Sequence, residues 1–194
     1  MFKKTVAFVF LLFSIHAFGF EIYALGTSNT NCKNADQTYT KHLNELLLLN
    51  HINATVINGG VDGDKPVWML DRLVRSINKN TRIVIVEPGL NERNKSLNIQ
   101  YTEKILGYLQ QQNILTIYVS NSMIQTNEEA EQTAQTYHAY YYGRWTKNIP
   151  IDREHRQFDI NGSSGGHMTA EGCRLWAETM FPLIQQVISV NNLQ

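Results

Sequence analysis

Residues 82–91 read Arg-Ile-Val-Ile-Val-Glu-Pro-Gly-Leu-Asn and contain the segment that decides the fold. Ile83 to Val86 form a continuous run of β-branched residues without polar alternation, which is typical of a strand buried on both faces of a sheet. Pro88 and Gly89 then supply a turn, and Asn91 follows it. The pattern predicts a central strand whose carboxyl end opens into a polar loop.

Strands and helices alternate on both sides of this segment. The predicted strands are 21–25, 54–58, 82–87 and 114–119, and the predicted helices are 38–50, 66–77, 99–112, 128–142 and 169–190. A fifth strand is not evident, and residues 143–164 resist assignment. The alternation predicts an α/β fold, a three-layer α/β/α sandwich around a flavodoxin-like parallel sheet.

The first 19 residues have the pattern of a secretory signal peptide. Lys3 and Lys4 precede an apolar stretch at residues 6–18, and Ala17 and Gly19 supply small residues for cleavage. The apolar stretch is shorter than the ~20 residues that a spanning helix needs, although an uncleaved anchor is the alternative. We therefore expect one domain at 20–194, exported to the periplasm or secreted, monomeric, and without stable membrane insertion after cleavage.

The balance of charge excludes several kinds of partner. Formal net charge is zero over 194 residues, and loss of the two N-terminal lysines would leave a slight acidic excess. No basic run or stripe is present, which argues against nucleic acid and against docking on an anionic membrane. No His, Cys, Asp and Glu set has the spacing of metal ligands, so we expect no metal ion and no cofactor.

Polar residues follow the predicted strands at the edge where ligands bind in parallel sheets. Ser28 comes after the first strand, Gly63 after the second and Asn91 after the third, while His167 follows a glycine turn before the last helix. Taken alone, Ser28 is also a common helix N-cap residue, and Asn91 a common turn residue.

Together these segments resemble the sequence blocks of the SGNH (GDSL-type) hydrolase family. The matching segments are Leu25-Gly-Thr-Ser-Asn-Thr30, Val56-Ile-Asn-Gly-Gly-Val-Asp-Gly-Asp64, Val86-Glu-Pro-Gly-Leu-Asn-Glu92 and Gly166-His-Met-Thr-Ala-Glu-Gly172. The resemblance implies a serine ester hydrolase with Ser28 as nucleophile and His167 as base. It also implies an oxyanion hole formed by the backbone N–H groups of Ser28 and Gly63 and the side-chain amide of Asn91.

One departure from the family concerns the group that orients His167. The family carries Asp three residues before the histidine, where this chain has Ser164. Three outcomes stay open: Asp159 supplies the carboxylate, the site works as a Ser–His dyad, or most of the activity is lost. The substrate is expected to be a small-molecule, lipid or acylated-carbohydrate ester. The alternative function is an impaired domain that binds an exported ligand or glycan.

The two cysteines and a cluster of aromatic residues suggest two further structural hypotheses. Cys32 and Cys173 each follow a member of the Ser28–His167 pair closely in sequence, so a disulfide could join two helices that start at the site; two free thiols are the alternative. The aromatic cluster of Tyr137, Tyr140–Tyr142 and Trp145 is either ordinary packing or a wall for a sugar or acyl group.

Overall fold

We describe the fold from a computed structural model of the chain, over residues 19–33, 35–162 and 164–193. The predicted signal peptide therefore lies outside the described residues, except for Gly19. Within the described ranges, no helix is both long and apolar enough to cross a membrane.

The centre of the molecule is a five-stranded parallel sheet. Its strands are β1 (Phe20–Gly26), β2 (Ala54–Gly60), β3 (Thr81–Val86), β4 (Leu115–Ser120) and β5 (Tyr140–Arg144). They lie in the order β2-β1-β3-β4-β5, and every neighbouring pair is parallel. Ile83, Val84, Ile85 and Val86 are all fully buried, as the run without alternation indicated. This strand order confirms the predicted flavodoxin-like sheet.

Helices cover both faces of the sheet. They are α1 (Tyr39–Leu49), α2 (Pro66–Ser76), α3 (Lys95–Gln111), α4 (Asn127–Thr136) and α5 (Ala170–Val190). Side chains that alternate along β1 divide between two cores, because successive residues of a strand point to opposite faces. Ile22 packs with α1 and α5, whereas Tyr23 packs with α2, α3 and α4. The result is the predicted three-layer sandwich.

Local sequence signals fix where several helices begin. The Thr38 hydroxyl accepts the N–H of Lys41 at 3.2 Å and caps α1. Pro66 occupies the first turn of α2, where its missing N–H costs nothing. Asn94 accepts the N–H of Leu97 at 3.2 Å, which starts α3 four residues earlier than the apolar pattern predicted.

The predicted helix over 128–142 is wrong in its second half. The helix ends at Thr136, and His138 adopts a positive φ of 53° that turns the chain. Tyr140–Arg144 then pairs with β4 as a parallel edge strand. Tyrosine favours strands over helices, and this segment is the fifth strand that the sequence pattern did not reveal.

The stretch that resisted assignment contains a small antiparallel pair. Strand β6 (Arg156–Phe158) pairs with β7 (Ser164–Met168), and α5 follows after its N-cap residue Thr169. His167 therefore lies on a short strand directly before the last helix.

Candidate active site

Ser28 lies in a tight turn that continues from the carboxyl end of β1. Backbone N–H groups of Asn31 and Lys33 donate to the carbonyls of Thr27 and Ser28, each at 3.0 Å. The turn ends well before α1, whose cap is Thr38, so Ser28 does not act as the N-cap of α1. It is partly exposed at the sheet edge where ligands bind.

His167 meets Ser28 from the other side of the site. Its Nε2 lies 2.9 Å from Ser28 Oγ, although the two residues are 139 apart in sequence. A neutral imidazole nitrogen at this distance can accept the hydroxyl proton, which is the requirement for an activated serine. The structure thus brings together the two residues that the sequence singled out.

The surroundings of His167 lower the pKa of its imidazole. Partial burial is the largest cause, and the nearby positive charge of Lys33 adds to it, while Asp62 acts in the opposite direction. Burial disfavours the charged form of the ring. His167 is therefore neutral at neutral pH and available as a base.

Asn91 and Gly63 occupy neighbouring loops at the same edge. The side-chain Nδ2 of Asn91 donates to the carbonyl of Asp64 at 2.9 Å, next to Gly63. On the other flank of Gly63, Asp62 accepts from Asn31 Nδ2 at 3.1 Å. Gly63 has a φ of 75°, a conformation that favours glycine, and open space surrounds the position that a Cβ would take. The loop is thus tied to the nucleophile turn and to Asn91.

A buried carboxyl group beneath the nucleophile turn was not identified from the sequence. Glu87 ends the central apolar run and is only 1 % exposed. Its Oε2 accepts from the N–H of Thr27 at 3.0 Å, from the Thr27 hydroxyl at 2.9 Å and from the Thr30 hydroxyl at 3.2 Å. The available signal was a charged residue placed directly after a strand buried on both faces.

Two ties join the turn that carries Ser28 to the segment that carries His167. A disulfide links Cys32 to Cys173 in the first turn of α5. Cys32 itself lies in the turn with a φ of 51°, not in a helix as the sequence reasoning assumed. The side-chain amide of Gln157 donates to the carbonyls of Lys33 and Met168, both at 2.6 Å. Both ties cross long stretches of sequence.

A cleft of about 330 Å³ opens at the Ser28–His167 pair. Leu90, Met123 and Trp145 supply apolar surface, and Asn29, Asn121 and Thr146 supply polar groups. Both Trp145 and Tyr142 are largely buried, but of the two only Trp145 lines the cleft among the described residues. Gly63 is not among the residues that line the cleft in the described chain. A larger cavity of about 690 Å³ lies beside Phe20, at the opposite edge where β1 begins.

The third catalytic member stays a prediction. Asp159 lies in the turn between β6 and β7 and accepts the N–H of Asn161 at 2.9 Å. Among the ion pairs between described residues, none includes His167.

One group of side chains away from the cleft has the composition of a metal site. Glu154, His155 and Glu171 place ligand atoms within 4.8 Å of one another, a proximity that their sequence spacing did not indicate. Glu171, however, already accepts hydrogen bonds from the guanidinium of Arg174. We assign no metal ion to this group.

Solved structures similar to this chain include several esterases. TesA superposes with a TM-score of 0.74 at 14 % identity, over 86 % of this chain and 98 % of its own. The psychrotrophic esterase EstA from Pseudoalteromonas sp. gives 0.72 at 16 % identity, over 87 % and 98 %. AlinE4, an SGNH-hydrolase family esterase, gives 0.57 at 21 % identity, over 88 % and 97 %. No protein-family model and no curated protein sequence matches the chain. At these identities the likeness establishes the fold.

Proposed function

We propose that this chain, whose fold is that of the SGNH hydrolases, is a serine ester hydrolase. The observation that carries the proposal is the 2.9 Å approach of His167 Nε2 to Ser28 Oγ. Ser28 attacks the ester carbonyl while His167 takes its proton, and the imidazolium then protonates the departing alcohol. Water, deprotonated by the same histidine, releases the acid from the acyl-enzyme and restores Ser28.

The oxyanion of the tetrahedral intermediate needs fixed hydrogen-bond donors. The proposed donors are the backbone N–H groups of Ser28 and Gly63 and the Asn91 amide. One Nδ2 hydrogen of Asn91 is held by the Asp64 carbonyl, which leaves the second for the substrate and fixes the direction of the amide. Removing one such donor typically lowers turnover by roughly 10²- to 10³-fold.

Either a carboxylate or the surrounding backbone orients His167. In the first case Asp159 supplies the carboxylate and completes a triad. In the second case the site works as a Ser–His dyad. Asp159→Asn separates them: wild-type turnover in this variant would remove Asp159 from the mechanism. A triad role for Asp159 requires turnover to fall steeply, by as much as ~10⁴-fold where the histidine depends on its carboxylate.

The cleft favours a compact ester, with the acyl group against Leu90 and Trp145 and the alcohol toward the polar side. A small-molecule, lipid or acylated-carbohydrate ester meets this description, and the cleft volume of about 330 Å³ lies at the small end for ligand sites. Export is part of the proposal. The N-terminal pattern and the Cys32–Cys173 disulfide support it, because such bonds persist in oxidising compartments.

Nitrophenyl esters of increasing acyl length test the proposal directly. Turnover is expected for the purified protein and is expected to be lost in Ser28→Ala. Ser122→Ala removes another hydroxyl from the same cleft and serves as the matched control. Equal turnover in Ser28→Ala and the wild type would contradict the assignment. If turnover and labelling by a fluorophosphonate are both absent, the chain is a ligand- or glycan-binding domain instead.

A further inference from the structure

We infer that Glu87 is a positioning residue, whose carboxylate holds the turn of residues 27–30 so that Ser28 Oγ faces His167. This inference deepens the proposed hydrolase function and rests on it. Between the described residues, the side-chain hydrogen bonds of Glu87 all go to this turn: three to Oε2 from Thr27 and Thr30, and one to Oε1 from Asn29 Nδ2 at 3.4 Å.

The packing around Glu87 shows how closely the turn is held against it. A Cβ on Gly26 would lie 3.0 Å from Glu87 Oε2 and 1.8 Å from Thr30 Oγ1. A Cβ on Gly89, which follows Pro88 in the next loop, would lie 2.4 Å from Thr27 Cγ2. Glycines at both places let the turn close directly over the carboxyl group. A shift of Glu87 is therefore transmitted to Ser28, which lies inside the turn.

The four donors around Glu87 favour the ionised form of its carboxyl group. Its four donors are an N–H, two hydroxyls and an amide NH₂, and a carboxylate can accept from all of them. A protonated carboxyl group would present its own O–H to this set of donors.

Ionisation at this place is opposed by burial. Burial raises the pKa of Glu87 above its ordinary value, and the bonds from Thr27, Asn29 and Thr30 only partly offset this. Among the ion pairs between described residues, none includes Glu87. Tyr39 from α1 is the titratable neighbour, and burial raises its pKa so far that it stays neutral. As the pH falls through this raised pKa, Glu87 gains a proton, and its neutral carboxyl group holds the turn less strongly.

The central experiment compares Glu87→Gln with Glu131→Gln, which removes the same charge from the exposed surface of α4. The Glu87→Gln variant keeps the shape of the side chain, but its amide cannot accept from all four donors. We expect kcat on a nitrophenyl ester to fall by roughly 10- to 100-fold with KM changed less than about threefold, because the nucleophile is misplaced by a fraction of an ångström. Glu131→Gln is expected to match the wild type.

The pH profile separates positioning from general destabilisation. The wild-type acid limb of kcat/KM is expected to report two protonations, those of His167 and Glu87, whereas Glu87→Gln should show one. Wild-type kcat with an unchanged acid limb in Glu87→Gln would overturn the inference while leaving the hydrolase function intact. Turnover that survives Ser28→Ala would instead overturn the function.

Amide hydrogen exchange tests the inference without any turnover. Exchange at residues 27–30 is expected to be at least about tenfold faster in Glu87→Gln, with exchange in α3 unchanged. Equal protection of the turn in both proteins would refute the positioning role even if no ester is hydrolysed. Should Glu87→Gln fail to fold, Thr27→Val is the substitute, because it removes a single hydrogen bond to the carboxylate. It should show a smaller fall in kcat and a smaller rise in the exchange rate at residues 27–30.

Discussion

Removing the Cys32–Cys173 disulfide should lower the free energy of unfolding by about 2 to 5 kcal/mol. The bond joins residues 141 apart in sequence, and closing a loop of that length in the unfolded chain corresponds to about 5 kcal/mol by the chain-entropy relation. The melting temperature should then fall by roughly 4–20 °C for a domain of this size. Urea denaturation of Cys32→Ala/Cys173→Ala, compared with the wild type, measures the difference.

A reductant supplies the control for this prediction. Dithiothreitol should destabilise the wild type toward the double variant and leave the double variant unchanged, because the variant has no bond to lose. Both cysteines are buried, so the comparison is made after equilibration in denaturant. Equal stability of the oxidised wild type and the double variant, or two titratable thiols in the denatured wild type, would refute the reasoning.

Three further predictions concern charges and packing around the site. Lys33→Met removes a cation that lowers the pKa of His167, so the acid limb of kcat/KM should move to higher pH. The shift should be smaller at high salt, because salt screens the charge of Lys33 in the wild type. A shift of the acid limb to lower pH would contradict this. Arg72→Met leaves the buried Asp64 carboxylate without its ion pair, so the free energy of unfolding measured in urea should fall by about 3–5 kcal/mol. A fall of less than about 1 kcal/mol would refute a stabilising role for the pair. Gly89→Ala would place a Cβ at a φ of 65° and only 2.4 Å from Thr27 Cγ2. The free energy of unfolding should therefore fall by about 1–3 kcal/mol, and turnover should fall with it. An unaltered melting curve would argue against the close contact.

The layers of the fold were predictable because buried strands and amphipathic helices leave local patterns. Residues 82–87 marked the centre of the sheet, and the α/β alternation indicated that its strands run parallel. The edge strand Tyr140–Arg144 left no such pattern, because its pairing with β4 is a tertiary contact and its tyrosines follow a helix without a glycine stop. The β6–β7 pair also left no pattern in the sequence, because the three residues of β6 are too few to show a strand periodicity.

The proposed chemical residues of the site were easier to find in the sequence than the residues that support them. Ser28 and His167 stand in short motifs, and the resemblance of these motifs to the SGNH blocks predicted them as a pair. Glu87 and Gln157 act through side-chain bonds to backbone and hydroxyl groups far away in sequence, up to 124 residues for Gln157 to Lys33. Such bonds depend on the final packing of the sheet and leave no periodic signal. Asp62 entered the surroundings of His167 in the same way.

The ties across the site bear on what a missing triad carboxylate would change. Such a carboxylate orients the imidazole and stabilises its charged form. The disulfide and the Gln157 amide hold the backbone on both sides of the Ser28–His167 pair, and this supports orientation without any added charge. Neither stabilises an imidazolium, and burial with Lys33 lowers the pKa of His167. A base with a lower pKa is a weaker proton acceptor but stays neutral to lower pH. A dyad of this kind therefore gives up maximal rate and keeps its base neutral in more acidic solution, whereas a carboxylate on Nδ1 would reverse both effects.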